Sequence, residues 1–317
     1  MPSFPPSSHP RIDAHQHVFW HGLNADDLVE DMDAHAIGLA WLLTWEIPDS
    51  PLNPDRQRFT RMLNPQRVRG DGSHPGIILD DLLAAQSAYP NRFLLGYCPN
   101  PELPNAAELF ETACEMHGVR ICGEWKFRML IDDPRSLELF RAAGRQGAPV
   151  ILHLDVPYLP GAEGPAYHPF WYGGTVANLE RALIACPETV FIGHAPGFWR
   201  AISGDEAKAD SAYPKGTVLP GGQVDRLLSD YPNLYADLSA GSALIALKRD
   251  QSFTLDFFQR HADRLLFARD YYGGDLLDFL GTLNLTETVQ RKVFYENALK
   301  LVPPDAVRKK RDIFRLS

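Results

Sequence analysis

A (β/α)8 barrel is the fold this sequence predicts, and three observations predict it. Eight short apolar runs recur along the chain, with segments of helical period between them. Most of these runs are rich in Val, Ile, Leu or Phe, as parallel strands covered on both faces require. Polar, chemistry-bearing residues close several of the runs, at the strand ends where such a barrel carries its site.

The runs are residues 11–19, 39–46, 92–98, 119–127, 149–155, 189–194, 234–239 and 264–270. Between them, DDLVEDMDAHAIG (26–38) places Leu28, Met32 and His35 near one helix face, with Gly38 as a stop. PNAAELFETACEMHG (104–118) opens on Pro104 and Asn105 and ends at Gly118. SLELFRAAGRQG (136–147) and QVDRLLSDYP (223–232) repeat the pattern. An open doubly wound sheet is the rival fold, but the first strand–helix turn has no G-x-G-x-x-G. The expected organisation is a tail over residues 1–10 and one barrel domain over 11–317, with long loops on its C-terminal face. Three connections are too long for simple turns. Residues 48–75 carry Pro48, Pro51, Pro54 and Pro65 with Arg56, Arg58, Arg61, Arg67 and Arg69; the others are 156–174 and 197–222. All three follow strands, so all three fall on the same face of a barrel.

The 317 residues are 45% hydrophobic and 22% charged, ordinary for a globular chain with a sizeable core. A net charge of −9 argues against a nucleic-acid surface, and the short basic cluster Lys309, Lys310, Arg311 reads as a solvated helix end. Cys98, Cys114, Cys122 and Cys186 form no C-x-x-C pair, and four cysteines in this length do not make a disulfide framework. The expected setting is reducing and cytoplasmic. MPSFPPSSHP lacks the basic and apolar regions of a secretory signal, and the longest apolar run, IGLAWLLTW (37–45), is too short to span a membrane.

RIDAHQHVF (11–19) carries the strongest chemical signal. Asp13, His15 and His17 alternate, so a regular strand would point all three to one side. Two imidazoles at that spacing converge on one cation. The fifth run ends at His153, the sixth at His194 and the eighth at Asp270. One histidine after a strand is usually a cap or a bonded core residue; four strands ending this way ring a single cavity. His15, His17, His153 and Asp270 are the expected metal ligands, with His194 beside them to act as a base or to polarise an oxygen. His9, His35, His74, His117 and His261 fall in the tail, helices or loops and take ordinary structural roles.

On the fourth run, Glu124 and Lys126 share a face, and burial of either is costly without a partner. Glu124 is expected to bind metal or act as an acid. Lys126 is open between a carbamylated bridge, a substrate-carboxylate anchor and a structural partner of Glu124. On the seventh run, Asp237 and Ser239 either orient a histidine or cap the next helix. Trp45, Phe127, Tyr158, Trp171, Trp199, Tyr271 and Tyr272 follow strand ends or lie in the long loops, where they supply an aromatic wall or ordinary packing. Arg128 is placed to pair with a substrate carboxylate. The loop arginines form a basic lid or a subunit contact.

IDAHQH, GEWKF, ILHLD, FIGHAPG, NLYADLS, LLFARD and the late FYENALKLV together resemble the amidohydrolase superfamily, in its amidohydrolase-related branch of metal-dependent hydrolases and decarboxylases. The resemblance spans nearly the whole chain. It implies a barrel with a metal at its C-terminal face, held by residues at the positions of His15, His17 and His153. Asp270 would be a ligand that also moves protons. His194 would bind a second metal or assist catalysis, and Glu124 would resemble a glutamate that bridges two metals in some relatives. The eighth strand departs from the branch: Arg269 stands where a small residue is common.

The function expected is hydrolysis of a small carboxylic ester, lactone or amide by metal-activated water. The cofactor would be one or two divalent ions, zinc first and manganese as an alternative. Non-oxidative decarboxylation of an aromatic or unsaturated acid is the second reading; a metal-free lactonase or a non-catalytic binding barrel is the third. The expected partner is a small cyclic or carboxylate-bearing molecule, Trp45, Lys126, Arg128 and Tyr271 being the candidate contacts. A second copy of the chain is a further candidate partner; nucleic acid and membrane are not.

Overall fold

The computed structural model describes residues 11–160, 164, 166–168 and 171–304. The segment 1–10 and the cluster Lys309–Arg311 lie outside them. Eight parallel strands form the frame: β1 (Ile12–Gln16), β2 (Leu39–Leu43), β3 (Phe93–Gly96), β4 (Cys122–Trp125), β5 (Val150–His153), β6 (Phe191–His194), β7 (Leu234–Asp237) and β8 (Leu265–Leu266). Each occupies one of the eight apolar runs and is shorter than its run. The sheet closes on itself. Gly96 bridges Ile121 between β3 and β4, and the Ala14 amide donates to the Phe267 carbonyl at 2.9 Å between β1 and β8.

Helices cover the outside: α1 (Ala25–Ala34), α2 (Leu79–Ala88), α3 (Ala106–His117), α4 (Pro134–Arg145), α5 (Val176–Ala185), α6 (Gln223–Asp230), α7 (Ala240–Lys248), α8 (Gln251–His261) and α9 (Asp275–Thr282). Their ends follow local chemistry. Asn24 and Asp27 make a reciprocal capping box for α1, which stops at Ala34 rather than running on to Gly38. Asp133 caps α4 and Pro134 fills its first turn, so that helix begins two residues before the periodic segment suggests. Gly118 ends α3 in the left-handed conformation at φ 69°.

Ile12, Ala14, Leu39, Trp41, Leu43, Leu94, Ile121, Ile151, Ile192, Tyr235, Leu266 and Ala268 pack together inside the barrel. Ala298 and Val302, from the late segment singled out in the sequence, close this cluster. Asn297 anchors that segment, donating to the carbonyls of Ala262 and Leu265 at 2.8 Å each.

The alternation along β1 is not regular. Asp13 pairs with Ala40 and Gln16 with Leu42, so the chain has one extra residue there. Ile12 and Ala14 face inward, the bulge then turns His15 inward, and Asp13 is left on the other side. The expectation that Asp13 shares a face with the histidines is therefore corrected. β4 carries the same device between Cys122 and Trp125, which brings Glu124 in after Ile121. β5, β6 and β7 keep strict alternation, from Ile151 to His153, Ile192 to His194 and Tyr235 to Asp237; beyond β8 the same spacing separates Ala268 from Asp270, where the backbone turns left-handed.

Ile192 is fully buried in the barrel interior. Ile192→Ala is expected to lower unfolding free energy by about 2–5 kcal/mol, read by chemical denaturation.

Candidate metal centre

Four imidazoles and three carboxylates converge at the C-terminal mouth. His15 and His17 bring their Nε2 atoms to 3.2 Å of each other. Each ring is oriented from behind. His15 donates its Nδ1 proton to Asp237 Oδ2 at 2.9 Å, and His17 donates its own to the Leu43 carbonyl at 2.9 Å. With Nδ1 carrying the proton of each neutral ring, the facing Nε2 atoms are the donor positions, an arrangement that suits a shared cation. His194 donates Nδ1–H to the other oxygen of Asp237 at 3.0 Å, and Ser239 Oγ lies 2.7 Å from the same nitrogen. Asp237 and Ser239 therefore orient histidines. Ser239 precedes α7 but makes no side-chain cap there.

Glu124 and Asp270 complete the first set. His17 Nε2 is 3.4 Å from Glu124 Oε2 and 3.4 Å from Asp270 Oδ1; His15 Nε2 is 3.6 Å from Asp270 Oδ1 and 3.9 Å from Glu124 Oε1. Ligands about 2.0–2.2 Å from a tetrahedral ion stand roughly 3.3–3.6 Å apart, so this spacing suits one divalent cation. His153 enters through Glu124, with Nδ1 2.6 Å from Oε1, while its Nε2 is 3.3 Å from Asp155 Oδ2. His194 Nε2 lies 3.6 Å from Glu124 Oε1 and 3.5 Å from Asp270 Oδ2. Glu124, His153 and His194 make a second donor group that shares Glu124 with the first.

The electrostatics match the donor chemistry. Burial works against charge on His15, His194, Glu124, Asp237 and Asp270, yet neighbours outweigh it. Burial would lower the pKa of His15, but Asp270 and Asp237 bring it above the ordinary histidine value; Asp237 and Asp270 raise that of His194 well above it. Burial would raise Glu124, but Lys126 and His153 hold it well below the usual carboxylate range; His194 and His15 do the same to Asp237. Asp270 is likewise lowered, against burial, by the surrounding imidazoles. The pocket is a sink for positive charge, whether proton or metal ion.

The weaker substrate candidates divide. Lys126 Nζ sits 4.0 Å from the centre of the Trp45 ring and 5.5 Å from that of Tyr172, beside Glu124. Arg128 is not waiting for a substrate carboxylate. Asp55, from the long loop after β2, takes both prongs of its guanidinium at 2.9 and 3.0 Å and also accepts from Tyr172 Oη at 3.0 Å. A buried internal carboxylate holds the position proposed for an external one, and neither Asp55 nor Tyr172 carries a sequence signal for this. Tyr271 is half exposed and packs against His21 and Tyr272. Trp199 and Phe127 are buried in packing, and Tyr158 is exposed, so these residues do not form the expected aromatic wall. The loop arginines are not a free basic lid: Arg56 pairs with Asp49 and Asp71, Arg67 with Asp81, and Arg69 with Asp49. His74 is a structural residue, accepting from the Gly76 amide and bonding the Asn64 carbonyl.

Solved structures share this architecture over nearly the full length. A TIM-barrel protein from Bordetella bronchiseptica, described as uncharacterized, is 17% identical, with 92% of this chain and 98% of that chain covered and a TM-score of 0.60. That likeness decides the fold. The chain is a TIM barrel. A dihydroxybenzoic acid decarboxylase from a Polaromonas species, with bound manganese and the inhibitor 2-nitroresorcinol, is 18% identical over 92% of this chain and 96% of that one, at TM-score 0.55. A protein described as a probable 2-pyrone-4,6-dicarboxylic acid hydrolase from Acinetobacter baumannii, with citric acid bound, is 13% identical over 92% and 98%, at TM-score 0.56. No family model matches the chain, and no curated protein does. Among the described residues, no helix is long and apolar enough to cross a membrane.

Arg128→Met is expected to cost about 3–5 kcal/mol of stability by leaving Asp55 buried without its cation, measured by denaturant unfolding.

Proposed function

We propose that this chain is a metal-dependent hydrolase of the amidohydrolase-related kind, acting on a small carboxylic ester, lactone or amide. One observation carries the reading: His15 and His17 bring their Nε2 atoms to 3.2 Å of each other, and each stands 3.4–3.9 Å from oxygens of Glu124 and Asp270, in a buried site that draws positive charge. His153 and His194 would hold a second ion that shares Glu124. The imidazole-rich set favours zinc, with manganese the alternative. When bound, the cation supplies Lewis acidity and lowers the pKa of water from about 15.7 toward about 7.

The chain's own groups do the rest. Asp270 accepts the proton of the attacking water and returns it to the leaving group. Asp237 holds His15 and His194 with Nδ1 protonated, so that the Nε2 of His194 would serve the second ion or, with one ion bound, face the reacting oxygen. Lys126, its ammonium over the buried rings of Trp45 and Tyr172, supplies positive charge for an anionic oxygen of the substrate. Decarboxylation on the same site is the second reading. It is favoured by the manganese-bound neighbour that is named a decarboxylase. The four buried cysteines are not joined in disulfides, which supports the cytoplasmic placement.

Elemental analysis of purified protein is expected to find roughly one or two equivalents of divalent metal, with zinc foremost. His15→Ala with His17→Ala should strip the metal; unchanged content would move the site elsewhere. A screen of lactones, esters and aromatic carboxylates should give turnover that a chelator removes. Asp270→Asn should abolish that turnover and leave the circular dichroism spectrum intact. Carbon dioxide released without addition of water would replace the hydrolase with the lyase.

A further inference from the structure

Asp270 occupies an unusual backbone position, with φ at 51°, a left-handed conformation that disfavours a residue with a side chain. Its neighbours hold it there. The Asp270 amide donates to the His15 carbonyl at 2.9 Å. The Arg269 amide donates to Asp13 Oδ1 at 2.9 Å, and Arg269 Nε donates to Asp13 Oδ2 at 2.7 Å. Arg269 Nη1 reaches Asp31 Oδ2 on α1 at 2.7 Å and the Gly273 carbonyl at 3.1 Å. Asp31 Oδ1 accepts from the Gly273 amide at 3.0 Å. Gln16 donates to Asp13 Oδ2 at 2.9 Å and to the Tyr271 carbonyl at 2.7 Å. Residues 269, 271 and 273 are thus clamped on the outer side of the strand while 270 alone turns inward.

We infer that Arg269, clasped by Asp13 and Asp31, is a positioning residue that presents the Asp270 carboxylate to His15, His17 and His194. The inference rests on the metal reading above. Arg269 makes no direct bond to the imidazole cluster: its guanidinium bonds Asp13 and the Gly273 carbonyl and pairs with Asp31, and Asp13 in turn accepts the His15 amide at 3.3 Å. The bulge in β1 makes the clasp feasible, since it sends Asp13 outward and His15 inward from almost the same point of the strand.

The test is a double-mutant cycle read by Co2+ titration of the metal-stripped protein, with the visible spectrum as the signature of the ligand set. Asp270→Gly removes the carboxylate and tolerates the positive φ. Arg269→Met is expected to weaken Co2+ binding about 10–100-fold and to shift the spectrum toward that of Asp270→Gly. The double variant should bind Co2+ within about twofold of Asp270→Gly alone, because the loss runs through one carboxylate. Losses that multiply, or an Arg269→Met spectrum identical to that of the parent, would overturn the inference and leave the metal site standing. A parent protein that takes up no Co2+ would overturn the metal reading itself. Should Arg269→Met fail to fold, Arg269→Lys keeps the cation and loses the fork. It is expected to give a smaller loss in the same direction, again absent on the Asp270→Gly background; a loss that persists there counts against the inference.

Discussion

Asp237 bonds two imidazoles at once, and the polar mouth of the barrel depends on that sharing. A fully buried carboxylate with His15 on one oxygen and His194 on the other fixes two rings from strands that do not pair, β1 and β6, and settles which nitrogen of each faces inward. It also adds negative charge to a volume that already holds Glu124 and Asp270. Charge in such a place is tolerated only when paired. The imidazoles and Lys126 supply part of the balance, and the geometry leaves room for a metal ion to supply more. The apolar residues below, from Ile151 to Ala268, exclude water from underneath and leave one open side.

Strict alternation made much of this visible in the sequence. His153, His194, Asp237 and Asp270 each lie two residues beyond an inward apolar residue, so an unbroken period of two finds them. The same rule misplaces Asp13, because β1 contains an extra residue that a period cannot reveal. Glu124 shares a face with Lys126 in a regular strand, but it is a bulge in β4 that brings it inward. Arg269 stood out as a bulky cation before Asp270, but its meaning needed three dimensions: its partners Asp13 and Asp31 come from the other end of the chain, more than 200 residues away. Arg128 shows the opposite failure. Its position was read well enough, but Asp55 lies 73 residues earlier in a loop whose path no local pattern specifies.

The strand ends and the helices behind them divide the labour. The barrel interior is built from aliphatic side chains that sit two apart and reward regular pleating. The C-terminal face asks for irregularity instead: an extra residue in β1, another in β4, and a left-handed residue after β8. Bulges and positive φ values re-aim individual side chains without disturbing the ladder beneath. Seven of the polar groups at the mouth come from six different strands or their ends, so no single element can be redrawn without moving the others.

Asp55 gives that interdependence a practical edge. Its two oxygens join the segment after β2, the end of β4 and the segment after β5 into one buckle. These pieces cannot be exchanged one at a time with homologous barrels. A transplanted β2 segment without the aspartate would strand a guanidinium and a phenol, and a transplanted β4 end without the arginine would strand a carboxylate. Recombination in this scaffold, natural or engineered, has to carry all three segments together.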